Sequence, residues 1–207
     1  MSRTRVKREP QRGVYDRGTI DAILDEALIS HIGFVHDGHP FVIPTLHARV
    51  GDVVYIHGSA ASRMLRELDA GVPVCLTATI FDGLVLAKSV FNHSVNYRSV
   101  VLLGTATRVP DEAKEAALHA LTEQLAPGRW DEVRAPTELE LKATWILALP
   151  IDEASAKVRA GGPEDEPEDA DLPVWAGVVP VYLGAEPSTY DWQRVRDGRV
   201  GAKEEAP

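Results

Sequence analysis

Residues 55–68, "YIHGSAASRMLREL", combine side chains that could bind an anion. A strand pattern passes through Gly58-Ser59 directly into a helix pattern. Free backbone N–H groups at a helix start attract anions, and Ser59, Ser62 and Arg63 add hydroxyl and guanidinium donors there. The pattern predicts a phosphate site, although the sequence contains neither a Walker loop nor a GxGxxG motif. A serine N-cap beside a surface arginine explains the same residues.

Residues 90–106, "VFNHSVNYRSVVLLGTA", contain a second polar cluster, which directly precedes an apolar strand pattern. An unpaired buried amide or hydroxyl costs roughly 1–3 kcal/mol, so these groups need partners. The partners could belong to the same chain, a second subunit or a ligand. The polar residues concerned are His93, Ser94, Asn96, Tyr97, Arg98 and Ser99.

Seven histidines raise the question of a metal site: His31, His36, His39, His47, His57, His93 and His119. Their spacing matches neither HExxH nor a Cys/His zinc pattern, so no structural metal is expected. His57 and His93 each end a predicted strand beside polar residues. A haem axial ligand, an imidazole contacting another cofactor and a hydrogen-bonded structural histidine all remain open for them. No GxSxG motif or carboxylate pair indicates a catalytic residue.

Composition limits the class of protein. The chain has 207 residues, 44% hydrophobic, with one cysteine and a net charge of −9. These values favour one main domain and argue against nucleic-acid binding, which needs a basic face. No apolar run approaches the ~20 residues of a membrane-spanning helix, and no secretory signal is visible. We therefore expect a cytoplasmic protein without a membrane partner.

Charge is distributed unevenly along the chain. Residues 1–18 are basic, whereas "GGPEDEPEDADLP" at 161–173 is acidic. The simplest interpretation is two solvated segments that could attract each other. We expect a basic N-terminal arm at 1–18, a main domain at 19–160, and an acidic linker with a partly docked tail at 161–207.

The elements that would position these residues are mostly strands. "TIDAILDEAL" predicts a short helix with Thr19 as N-cap, and Asp37-Gly38 predicts a hairpin turn. Pro44 cannot donate a ladder hydrogen bond, which leaves neighbouring backbone groups free for a ligand. Strands are also predicted at 72–80 and 84–88, at 98–109 and at 145–151, with helices at 61–68, 111–125 and 136–144. The pattern predicts a mainly β, α+β fold, an antiparallel barrel with inserted helices.

Four motifs together carry a resemblance to a known family. They are "GFVHDGHPFVIPT", "YIHGSAASRMLREL", "DGLVLAKSVFNHSVNYRSVVLLGTA" and "PGRW". The chain resembles, over roughly residues 5–180, the pyridoxamine 5′-phosphate oxidase-like, FMN-binding split-barrel superfamily, in particular its branch of flavin-nucleotide-binding proteins related to nitroimidazole-resistance reductases. The resemblance implies a six-stranded antiparallel split barrel and a homodimer with two FMN sites at the subunit interface.

The resemblance also implies roles for particular residues. Main-chain groups of Val42, Ile43, Pro44 and Thr45 would line the isoalloxazine ring. The FMN phosphate would be held by His57, Ser59, Ser62 and Arg63 around Gly58. Lys88 and the segment Asn96, Tyr97, Arg98 and Ser99 would reach the ribityl chain, the phosphate or the pyrimidine edge, across the interface in some cases. A cation near that edge would favour the reduced anionic flavin.

The implied function is a flavin-dependent oxidoreductase acting on an unidentified small molecule. A non-catalytic flavin carrier or sensor and a haem-binding member of the same fold are the alternatives, and a deazaflavin also remains open. Vitamin B6 oxidation is not expected, because Lys157 and Arg159 are no clear equivalent of the oxidase's substrate-binding arginine motif. Because His57 directly precedes Gly58-Ser59, we expect it to contact the flavin phosphate rather than a haem iron.

Overall fold

The computed structural model describes residues 3–183. Within this range, ten strands are formed: β1 (Gly13–Val14), β2 (Ile29–His36), β3 (His39–Val50), β4 (Val53–Ser59), β5 (Val74–Leu86), β6 (Ser94–Gly104), β7 (Thr107–Arg108), β8 (Thr144–Pro150), β9 (Glu153–Arg159) and β10 (Gly177–Pro180). The α-helices are α1 (Arg17–Glu26), α2 (Arg63–Asp69), α3 (Lys114–Leu125) and α4 (Glu138–Ala143). None of these helices is long and apolar enough to cross a membrane.

The strands form one connected antiparallel sheet in the order β1-β9-β6-β5-β2-β3-β4-β8-β7, with β10 on β5. Strands β8 and β9 lie near opposite ends of this order, yet only Ile151 and Asp152 separate them along the chain. The three Cα–Cα steps from the end of β8 to the start of β9 span at most about 11 Å, so the sheet must curl until its two ends approach each other. The fold is therefore mainly β, α+β, with a large curled antiparallel sheet.

The curled sheet encloses one main core. Fully buried side chains from β2, β4, β5, β6, β8 and β9 contact one another there: Ile32, Ile56, Leu76, Leu102, Leu149 and Ala156. Helices α1 and α2 add Leu24 and Leu65, both 0% exposed. A smaller cluster lies on the outer face of β8, where α3 packs against Ile146.

Local signals placed most elements correctly. The Asp37-Gly38 hairpin is confirmed, with φ angles of 50° and 76° that suit the tight two-residue turn. Helix α1 begins earlier than predicted, because Asp16 rather than Thr19 is the N-cap and accepts a 2.8 Å bond from the Thr19 N–H. Helix α2 begins at Arg63 rather than Ala61, with Ser62 as its cap.

The segment from Val74 to Leu86 differs from prediction. It is one strand, β5, where two strands, at 72–80 and 84–88, were expected. The register with β6 shifts between Phe81 and Gly83, so Asp82 is the extra residue of a β-bulge. Strand β9 was not predicted, and β10 shows that part of the C-terminal segment does dock, on β5.

The N-terminal arm lies along β9 instead of projecting into solvent. The Arg3 guanidinium donates to Glu153 at 2.6 Å, and the carbonyls of Thr4 and Arg8 accept bonds from Ser155 and Lys157. Strand β1 then pairs with β9. The arm thus contacts a strand of the sheet, and its attraction to the acidic segment stays a prediction.

Gln124 of α3 closes the C-terminal end of α1. Its side-chain amide, in a residue 6% exposed, donates to the carbonyls of Leu24, Asp25 and Ala27 at 3.4, 3.0 and 3.2 Å. These carbonyls lie at the end of the helix, where no intrahelical N–H is available to pair with the last of them.

We expect Gln124→Leu to lower the free energy of unfolding by about 1–3 kcal/mol, because it leaves buried carbonyls without this donor. Urea denaturation would measure the change. Glu115→Ala, at an exposed position of the same helix, should change stability by about 0.5 kcal/mol or less. Equal effects of the two substitutions would contradict the role given to Gln124.

Candidate functional site

Strands β3 and β4 part at one end, and we call this opening the β3–β4 split. Residues 39–46 of β3 pair with β2, but pairing of β3 with β4 starts only at His47 and Ile56. Beyond Ile56, β4 pairs with β8 on its other side. Between residues 3 and 183, no strand covers the remaining edge of β3 along 39–46.

The predicted flavin-lining residues lie on this uncovered edge. Val42 is 66% exposed and Pro44 is also exposed, whereas Ile43 and Thr45 are half-buried. The position agrees with the free backbone expected around Pro44. Main-chain groups on the outer edge of a strand are available to a ligand, as they are to a further strand.

The two serines of the β4–α2 loop have local roles. The Ser62 hydroxyl accepts a 3.4 Å bond from the Leu65 N–H, and the Ser59 hydroxyl accepts a 3.1 Å bond from the Ala61 N–H. The N-cap interpretation of Ser62 is therefore correct. It does not remove a second role, because each hydroxyl keeps its own hydrogen to donate to an anion.

Arg63 extends from α2 to β3 at the split. Its guanidinium lies over the Phe41 ring, 4.3 Å from the centroid, and Phe41 stacks on Phe34 at 5.7 Å. No carboxylate of the described chain forms a salt bridge with Arg63. A cation held by an aromatic ring rather than by an acid keeps its charge available to an anionic ligand.

His57 points away from α2. Successive residues of a strand face opposite sides, and Ile56 is buried in the core while a Cβ on Gly58 would meet Leu65 at 3.2 Å. His57 therefore faces the outer side of the sheet. Its Nδ1 is buried without a hydrogen-bond partner, and burial lowers the pKa of the imidazole, which favours the neutral form. The structure thus separates His57 from the face that carries Leu65 and α2.

Two predicted cofactor residues hold the acidic segment instead. The Lys88 backbone N–H donates to Asp165 at 2.7 Å, and its ammonium donates to the Ala170 carbonyl. The Asn96 amide donates to the Gly161 carbonyl at 3.0 Å and accepts a 2.6 Å bond from Arg159.

The polar start of β6 also finds partners within the chain. Arg98 donates to Glu26 and, across the bulge, to Asp82, each at 2.7 Å. These bonds, with that to Glu26 the stronger, raise the pKa of Arg98. Ser99 donates to the Lys157 carbonyl at 3.4 Å, and Tyr97 is half-buried opposite Arg159 in the sheet register. The polar groups that prompted the search for a ligand or second subunit are thus largely paired internally.

Sequence reasoning missed the partners rather than the polar residues. Glu26 ends a helix, and Asp82 lies between the two strands predicted at 72–80 and 84–88. Neither residue carried a local signal of pairing with Arg98. Arg159 was considered only as a substrate-binding candidate. In residues 3–183, no group of three or more potential metal-ligating side chains is found.

An apolar cleft of about 470 Å³ lies on the outer side of β2, β3 and β5. Gly33, Val35, Val42 and Cys75 contribute to its lining, and Arg3 of the N-terminal arm borders it. Of the predicted cofactor residues, only Val42 lines the cleft. Its size suits a small organic molecule.

Three solved structures are similar to this chain. The flavocytochrome Anf3 from Azotobacter vinelandii is 41% identical, with a TM-score of 0.84 and coverage of 95% of this chain and 92% of that one. A FAD and haem binding protein from Mycobacterium smegmatis is 40% identical, with a TM-score of 0.81 and coverages of 95% and 94%. A candidate 5-nitroimidazole antibiotic resistance protein from Bacteroides thetaiotaomicron shares the fold at 19% identity, with a TM-score of 0.60 and coverages of 70% and 86%.

No curated protein sequence matches the chain significantly. A family model described as pyridoxamine 5′-phosphate oxidase matches residues 16–158, well over half of the chain. This match agrees with the curled antiparallel sheet and with the parted strands at its candidate site. The chain therefore belongs to the pyridoxamine 5′-phosphate oxidase-like split-barrel family.

Proposed function

We propose that this protein is a flavocytochrome-like redox protein that binds FAD and haem. The observation that carries the proposal is the 40% identity, over 95% of this chain, to a protein named for binding both groups. The name of the Azotobacter relative, a flavocytochrome, supports it. FAD thereby replaces FMN, which the family resemblance alone implied. Haem, which the sequence analysis gave as an alternative to the flavin, is proposed here as a second cofactor bound in addition to it.

The β3–β4 split is the proposed flavin site. Its uncovered edge offers main-chain groups of residues 42–45 to the flat ring, and Arg63 supplies a cation that forms no salt bridge with a carboxylate in residues 3–183. The hydroxyls of Ser59 and Ser62 would donate to the phosphates. Arg98, Asn96 and Lys88 are proposed instead to stabilise the fold, because their hydrogen bonds are made within the chain.

A histidine suited to haem is present. His57 combines a buried ring nitrogen that lacks a partner with a neutral imidazole, the form that binds iron. A bound flavin supplies hydride and one-electron chemistry, and a haem supplies one-electron chemistry. The contribution of the chain is to hold and orient these groups.

We further propose that the curled sheet is the six-stranded split barrel of the family and that it dimerises. The outer face of β2 and β3 carries the exposed apolar side chains Ile29, Val35 and Val42, which are 48%, 54% and 66% exposed. A two-fold contact through this face would bury them and would bring the uncovered edge of β3 close to the partner subunit. The cofactor sites would then lie at the interface.

Turnover of a small molecule is proposed over a carrier or sensor role. The apolar cleft lined by Val35 and Val42 would lie at this dimer contact, so a substrate bound there would be enclosed between the two subunits beside the flavin site. No protein acid or base is required for hydride transfer to a flavin.

Titration with FAD and FMN tests the flavin site. We expect FAD to bind more tightly than FMN, and Arg63→Ala to weaken binding by about 1.5–3 kcal/mol, roughly 10- to 150-fold. Arg98→Ala is the matched contrast: it should lower the free energy of unfolding by about 1–3 kcal/mol with little change in flavin affinity. Fluorescence quenching and urea denaturation separate the two effects, and the reverse pattern would show that Arg98 is the cofactor residue.

Light scattering tests the dimer. The expected mass is twice the 22.6 kDa of the chain. Val35→Glu should weaken the dimer, because it places a charge on the proposed contact face. Leu139→Glu, at another apolar position that is 77% exposed, should leave it intact. A wild-type monomer that binds one flavin would contradict the shared site.

Stopped-flow reduction distinguishes an oxidoreductase from a carrier. We expect NADH or NADPH to bleach the absorbance of the bound flavin, and oxygen or a nitroaromatic compound to restore it. The same chain without flavin is the control for background absorbance. Failure of every donor would favour the carrier or sensor.

A further inference from the structure

We propose that His57 is the axial ligand of the haem iron, an inference that rests on the proposed haem binding. This role replaces the phosphate contact expected from the sequence. His57 lies on the outer side of the sheet, whereas a Cβ on Gly58 would meet Leu65 of α2 on the inner side.

The first observation is the unsatisfied imidazole. Nδ1 of His57 is buried and has no hydrogen-bond partner. A buried polar atom left unpaired is unfavourable, so a ligand that satisfies it is expected in the complete molecule. His57 as a whole is only half-buried, so part of the residue is open to a ligand.

The second observation is the state of the other histidines, all of which lie in residues 3–183. His36 pairs with Glu67 at 2.8 Å, His47 is fully buried against the Leu24 carbonyl, and His93 contacts the Ser89 carbonyl at 2.7 Å. The ring of His119 meets Trp130 edge-on. His31 and His39 are exposed to solvent. His57 thus combines partial burial with an unpaired ring nitrogen.

The third observation is the surface around His57. Ile146 is its register partner on β8 and is fully buried beneath α3. Across the split, strand alternation places Pro44 and Leu46 of β3 on the same outer face, and neither side chain carries a charge. Along β4 itself, Tyr55 and Ser59 share this face, so the surface around the imidazole is uncharged but partly polar.

Hemin titration followed by the Soret band tests this assignment, with bound FAD and thermal unfolding as measures of intact fold. In the wild type we expect a stoichiometric, sharp Soret band. His57→Ala should weaken haem binding by more than about 100-fold, since loss of outer-shell partners alone costs 10–100-fold. His57→Gly with added imidazole should recover the band, because free imidazole can occupy the vacated position. His93→Ala, at an exposed histidine whose ring contacts the Ser89 carbonyl away from this face, is the control and should bind hemin as the wild type does.

Each of the other outcomes contradicts either haem binding or the assignment of His57. A wild-type chain that binds FAD but gives no Soret band would refute haem binding and, with it, the ligand assignment. A wild-type band that survives unchanged in His57→Ala would refute the assignment alone. Loss of the band in His93→Ala but not in His57→Ala would transfer the role to His93. Loss in His57→Ala without rescue by imidazole in His57→Gly would indicate a structural role and would also overturn the assignment.

Discussion

The short connection between β8 and β9 is the constraint on which the fold depends. These strands lie near opposite ends of the sheet order, and a link of two residues forces the ends together. A flat sheet with this connectivity is impossible, so the sheet curls and all long strands contribute to a common core. Strand β4 stops pairing with β3 and continues to pair with β8 as the sheet curls. The uncovered edge beside Pro44 is therefore a consequence of closure.

The groups that surround Arg98 and Arg63 give these two arginines different roles. In a chain with a net charge of −9, Arg98 lies between two carboxylates, whereas Arg63 rests on an aromatic ring. An arginine with two acidic partners has little positive potential left for a ligand, and it costs stability to remove. An arginine on phenylalanine keeps its potential and its position. Residue type alone does not separate these cases.

Sequence reasoning found the features that depend on neighbouring residues. The Asp37-Gly38 hairpin and the helix at Arg63 follow from turn chemistry and from 3.6-residue periodicity, which act within a few positions. The partners of the β6 residues could not be found this way. Arg98 lies 72 residues from Glu26, and Asn96 lies 63 residues from Arg159. The orientation of His57 could not be predicted either. The two-residue alternation of a strand shows that His57 and Ile56 face opposite sides, but not which side packs against the core.

The N-terminal arm affects how molecules of this protein interact with one another. Strand β9 would otherwise end the sheet with exposed N–H and C=O groups, a template on which strands of other molecules can assemble. Residues 3–14 occupy that template through β1 and through the carbonyls of Thr4 and Arg8. A segment that contributes no fully buried apolar residue to the core thus insulates the sheet against aggregation. Shortening the chain at this end would expose the edge of β9 and lower the solubility of the protein.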